Sequence, residues 1–227
     1  MKKKILRITE QELHRQAESI FIKACGFDLS KEKDRRMMAT ARAVWSQEYE
    51  GREFPAIIGS FGADTFADGI VDLGDGPISC NIFEGIPEDA VSEVYAFTLT
   101  AGEYSIDSDS DMMGYVYADI WGTSYVEAAS EYVKSLIDSG LGSGLTLSPE
   151  FGPGYFGIPV ENTRKLADIL RADDIGIQVN DGGLLIPQKS CASIMFAFHD
   201  FQLDAPAACV TCQGAKGGCK FCNITKK

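Results

Sequence analysis

Four of the seven cysteines, Cys209, Cys212, Cys219 and Cys222, fall in the closing stretch "CVTCQGAKGGCKFCNITKK". They form two Cys-x-x-Cys pairs with six residues between them, and Gly214, Gly217 and Gly218 permit a tight connection. Four thiolates at that spacing reach one ion. Zinc takes such a set tetrahedrally, and an iron–sulfur cluster is satisfied by the same donors. The spacing does not choose between them. The other three cysteines, Cys25, Cys80 and Cys191, sit among apolar neighbours and read as small buried hydrophobes.

Other motifs say less. "DSDSDMMG", from Asp107 to Gly114, starts like a calcium loop, but its sixth and twelfth positions are Met112 and Ala118, where glycine and glutamate are needed. It reads as an acidic turn ahead of a helix, where carboxylates meet the positive end of the dipole. "GPGYFG" matches G-x-G-x-x-G at Gly152, Gly154 and Gly157. Pro153 removes an amide donor and Pro159 delays the helix, so a dinucleotide turn is disfavoured. The glycines still imply close backbone approach, with Tyr155 beside them. Of the two histidines, His14 reads as solvent-facing and His199 as the end of a strand. No Ser-His-Asp or Cys-His arrangement is apparent.

The formal net charge of −12 repels phosphate backbones, so nucleic acid is not an expected partner. No apolar run is long enough to span a bilayer, and the basic start "MKKKILRITEQELHRQ" lacks the apolar centre of a signal peptide. A cytoplasmic protein without membrane association is expected.

The elements that must position these residues come from periodicity. Thr9 and Glu12 form a capping box, and Leu13, Ala17, Ile20, Phe21 and Ala24 recur at helical spacing until Gly26. A second helix follows Ser30, with Met37, Met38, Ala41, Val44 and Trp45 on its inner side. "FPAIIGSFG", "ISCNIF" and "VYAFTLTAG" read as strands. Met113 to Ile137 reads as a long helix interrupted by Gly122, and "SGLGSGLTLSPEFGPGYFGIP" as loop for much of its length. A short helix, "VENTRKLADILRA", precedes "IGIQVN", the turn "DGG", "LLIP" and the strand "SCASIMFAF". The irregular alternation predicts an α+β fold: a curved mixed domain with a twisted, largely antiparallel sheet and flanking helices, plus the cysteine-rich tail. The expected division is one domain over 1–205, with a helical part over 1–50, and a metal- or cluster-binding tail over 206–227.

The stretch "PGYFGIPVENTRKLADIL", followed by "IGIQVNDGGLLIPQKSCASIMFA", resembles the reactivation domain of cobalamin-dependent methionine synthase. "AFTLTAG" and "ADIWGTSYVEAASEYV" resemble that family's strand and following long helix. The resemblance covers about half of the chain in register. It implies a curved α+β domain that binds S-adenosylmethionine on its inner surface and docks over a corrinoid. The implied function is an activation protein, accessory to a corrinoid-dependent methyltransferase, that supports reductive reactivation of cobalamin carried by a partner. By the same resemblance Gly154 and Tyr155 match the loop against the ligand, and Glu127 matches an acidic contact. Two positions depart from the family: Glu150 stands where its loop begins with arginine, and Met195 where it has a tyrosine beside the ligand. Set after such a domain, the four cysteines are expected to hold a metal or cluster that serves as a one-electron relay. The other reading is a non-catalytic module, stiffened by a zinc knot, that recognises a corrinoid protein.

Overall fold

The computed structural model describes residues 1–203. The four tail cysteines, and with them the metal or cluster site expected over 206–227, lie outside the described residues. The chain runs β1 (Lys2–Thr9), α1 (Glu10–Cys25), α2 (Glu32–Glu48) and β2 (Glu53–Gly62). Three short strands follow, β3 (Phe66–Ala67), β4 (Ile70–Asp72) and β5 (Pro77–Ser79), then the long β6 (Val91–Thr100). The second half holds α3 (Met112–Gly140), β7 (Leu145–Leu147), α4 (Asn162–Leu170), β8 (Gln178–Val179), β9 (Leu185–Ile186) and β10 (Ser190–His199).

The main sheet is antiparallel throughout, curled, and ordered β1-β2-β6-β10-β7. Period-two alternation sends Ile58, Phe97, Leu99 and Met195 to one face, where they meet α1, α2 and α3 around Trp121 and Tyr125. It sends Ile57, Val94, Ala96, Ile194, Phe196 and Phe198 to the other, against Phe83, Phe151 and α4. With both faces covered, a central strand needs no polar side, and "IMFAF" reads as an unbroken apolar run. The α+β reading of the sequence therefore holds.

The capping box is present: Thr9 donates its backbone N–H to Glu12 Oε2 at 2.8 Å, and Gly26 ends α1 at φ +66°. The acidic run before α3 is a cap. Asp111 Oδ1 accepts the Gly114 N–H at 2.8 Å, satisfying one donor of the first turn. Asp111→Ala should lower stability by about 1 kcal/mol, read as a shift of the urea midpoint at constant slope.

Several elements depart from the sequence reading. The opening segment over residues 2–9 is a strand, pairing Ile5 with Ile57 and Thr9 with Glu53. Its lysines suit an edge strand, where charge discourages pairing with another chain. "ISCNIF" is a strand only to Ser79; Phe83–Gly85 form a 3-10 turn that carries Phe83 into the core. The glycine-rich stretch after α3 contains β7. His14 is not solvent-facing but half-buried, with its ring centroid 4.4 Å from that of Trp45. Its Nδ1 lies 3.1 Å from Tyr125 Oη and 3.0 Å from Glu10 Oε1. Helical spacing puts His14 at the margin of the apolar stripe, and only tertiary contacts with Trp45 of α2 and with Trp121 and Tyr125 of α3 cover it.

Candidate functional site

β10 positions the site. Its last residues pair with β7 from Ala197↔Leu147 to His199↔Leu145. The neighbouring chain stays attached as far as Phe151, which exchanges both backbone hydrogen bonds with Ile194 at 2.9 Å. Between them the Ser148 hydroxyl accepts the Phe196 N–H at 2.9 Å. At Gly152 the chain leaves β10, so the strand's first residues, Ser190 to Ser193, lack a neighbour on this edge. Antiparallel alternation turns the N–H and C=O of Ala192 to the same side as those of Ile194, toward the gap.

That gap is a cavity of about 720 Å³. One wall is α3, through Thr123, Val126, Glu127 and Ser130. The opposite wall is the turn after Phe151, with Tyr155 and Phe156. The floor is Cys191, Ala192 and Ser193 of β10, and the segment after β8 closes the end with Leu184, Leu185 and Lys189. The turn folds tightly, Tyr155 N–H donating to Gly152 O at 3.1 Å and Gly154 N–H to Ile158 O at 2.8 Å. Its glycines have different jobs. A Cβ at Gly152 would meet Ala192 O at 3.2 Å, the close approach expected from the sequence. Gly154 has open space but sits at φ +86°, where a side chain is strained. α3 runs unbroken through Gly122, which instead admits side chains: a Cβ there would meet Tyr49 Oη at 2.7 Å and Lys189 Cγ at 2.8 Å.

Glu150 is half-buried, and the Ser130 hydroxyl donates to its Oε2 at 2.7 Å. Desolvation pushes its carboxyl above the ordinary range, against the pull of Ser130 and Lys134, while Glu131 adds to the rise. Glu127 reaches solvent at the cavity mouth, yet the protein around it removes enough water to raise its carboxyl as well; Lys23 opposes this and Glu131 reinforces it. Lys189 Nζ lies 2.7 Å from Asp119 Oδ1 and donates to Thr123 Oγ1 at 3.0 Å. Burial, and secondarily the charge of Glu150, pushes the Cys191 thiol well up, so it is a poor nucleophile at neutral pH. The arrangement suits recognition of a ligand with cationic character better than covalent attack.

Glu150 also fixes a sign for pH dependence. It keeps its proton to higher pH in the fold than in the unfolded chain. Its contribution to stability is therefore complete below the unfolded carboxyl value and lost as pH rises through the raised folded one. Glu150→Gln should gain stability relative to the native protein as pH rises from about 4 to about 8. Urea midpoints across that range measure it, and a difference that stays flat would mean that Glu150 is not desolvated.

Of the residues singled out from sequence, Glu127, Glu150 and Tyr155 line this one cavity, and Gly154 shapes the exposed turn that holds Tyr155. Met195 does not line it; it is wholly buried under the helices. The sequence reading missed Thr123, Val126 and Ser130, and Lys189, Cys191 and Ser193. The first group lies at i, i+3 and i+7 in the long helix, a small-residue stripe beside Glu127 that periodicity exposes. Among the described residues no group of three or more His, Cys, Asp or Glu could hold a metal ion.

No family model matches the chain, and no curated protein does. Twelve chains of solved structures match it. One is a crystal structure of the MetH reactivation domain bound to AdoHcy, with a TM-score of 0.59 at 12% identity. The match covers 90% of this chain and 81% of that one. At that identity the likeness shows a shared fold. Among the described residues no helix is long and apolar enough to cross a membrane.

Proposed function

We propose that the protein is an activation protein for a corrinoid-dependent methyltransferase, and that the β10–α3 cavity is its ligand groove. The observation that carries this reading is the convergence of Glu127 from α3 with Glu150 and Tyr155 from the turn segment on one cavity. The fold shared over 90% of the chain with a reactivation domain that binds AdoHcy supports it. On this reading the ligand is a sulfonium compound of the S-adenosylmethionine class, and the corrinoid, cobalamin, is carried by a partner protein. When bound, such a ligand supplies a methyl group on a positively charged sulfur.

The cavity is within the size range of small-molecule sites. Tyr155, Val126 and Leu184 offer the apolar and aromatic surface that a nucleobase requires, and the edge of Ala192 offers a donor and an acceptor. Glu127 and Glu150 complement a sulfonium or an amine. A ligand carboxylate is not matched, because Lys189, the one cation lining the cavity among the described residues, is engaged by Asp119. The tail cysteines Cys209, Cys212, Cys219 and Cys222 would bind an iron–sulfur cluster or zinc as the electron-handling or stiffening part.

Titrating the full chain with S-adenosyl compounds and with a cobalamin-loaded corrinoid protein by calorimetry tests the reading. Binding of both classes is expected; binding of neither overturns it. Anaerobic purification with metal and sulfide analysis tests the tail. Cys209→Ser with Cys212→Ser should remove the bound metal while thermal unfolding of the domain stays unchanged. Iron with sulfide fits a relay, and zinc alone fits the second reading, a module that recognises a corrinoid protein without redox chemistry.

A further inference from the structure

The charges lining the groove are uneven. Two carboxylates, Glu127 and Glu150, line it, and its cation Lys189 is committed to Asp119 at 2.7 Å and Thr123 at 3.0 Å. The remaining polar side chains of its wall and floor, Ser130, Ser190, Ser193 and Tyr155 among them, are neutral. Lys134 and Lys23 act on Glu150 and Glu127 from outside the lining, and Glu131 opposes both. From these observations, and resting on the groove reading above, we propose that the site is selective for organic cations without a carboxylate: a decarboxylated S-adenosyl compound bearing a sulfonium and an amine, in preference to S-adenosylmethionine.

The physical grounds are desolvation and sign. Glu150 sits half-buried on a single hydroxyl donor from Ser130. A cation brought beside it replaces lost water with charge and favours its ionised form. A ligand carboxylate brought to the same wall finds no free cation among the described lining residues and faces the carboxyl groups of Glu127 and Glu150, so nothing replaces the hydration it loses. An arginine at this position would do the opposite, gripping a carboxylate through two parallel hydrogen bonds. The difference between Glu150 and arginine is thus a change in the class of ligand, not a loss of binding. A neutral thioether lacks the sulfonium charge and gains least from the two glutamates.

The test is calorimetry on the full chain at fixed pH and low salt with decarboxylated S-adenosylmethionine, S-adenosylmethionine and S-adenosylhomocysteine. Affinities should fall in that order, with a spread of at least about tenfold between first and last. Glu150→Arg should reverse the order of the first two. If that variant does not fold, Glu150→Gln decides, because it must shrink the ratio between them. S-adenosylmethionine binding as tightly as its decarboxylated form overturns the selectivity and leaves the groove reading standing. An order unchanged in Glu150→Arg together with a ratio unchanged in Glu150→Gln overturns the role of Glu150. Binding of none of the three overturns the groove reading, and this inference with it.

Discussion

Replacing Trp121 by alanine should destabilise the protein by about 3–5 kcal/mol, the range for removing a large aromatic from a packed core. Trp121 is fully buried in α3, its ring stacked on Phe21 at a centroid distance of 4.1 Å. Its Nε1 donates to the Ala41 carbonyl at 2.9 Å, so one side chain joins α1, α2 and α3. Truncation leaves a cavity, unstacks Phe21 and removes the donor to α2 together. For a chain of this size each kcal/mol lowers Tm by about 2–4 °C, so a loss of roughly 10 °C is expected. The urea slope should hold while the midpoint falls. A change below about 1 kcal/mol would mean that the three helices do not share one core.

Phe196→Ala should cost a similar amount on the opposite face, again about 3–5 kcal/mol. Phe196 is fully buried, with ring centroids of Phe83, Phe66 and Phe151 at 5.1, 5.3 and 6.0 Å. Its consequence for the site is larger than that of Trp121→Ala. Phe151 is the last residue held by β10 before the turn that carries Tyr155, and Glu150 immediately precedes it. With Phe196 gone, Phe151 loses a packing partner, and the wall holding Glu150 and Tyr155 loosens. Measured well below either unfolding temperature, Phe196→Ala should weaken groove ligands more than Trp121→Ala does. Equal weakening would mean that the aromatic cluster does not set the position of the turn.

Much of the fold was legible because it rests on local signals. The capping box at Thr9 and Glu12, the stop at Gly26 and the apolar stripe of α3 are each carried by a few neighbouring residues, and each appears in the structure. The hairpin around "DGG" and the buried strand "SCASIMFAF" are of the same kind. Where signals are not local, reading failed. The strand over residues 2–9 has four lysines or arginines against three apolar residues and becomes a strand only because β2 pairs with it. β7 is three residues of an otherwise glycine-rich segment, defined by the edge of β10. The glycine pattern brought out Gly154 and Tyr155, resemblance alone brought out Glu127 and Glu150, and neither pointed to Cys191 or Ser193 as lining a site.

By itself the sequence determined the α+β class, the long helix and its acidic cap, the tight turn at Gly152 to Gly157, and an overall negative charge. Each follows from propensity, periodicity or composition within a short window. Only the tertiary structure decided that the chain departs from β10 after Phe151, leaving Ser190 to Ser193 as the floor of a cavity. It also decided that Lys189 is paired with Asp119 while Glu127 and Glu150 are left lining the cavity. Ion pairing and desolvation depend on which distant groups come within a few ångströms, and no local pattern encodes that.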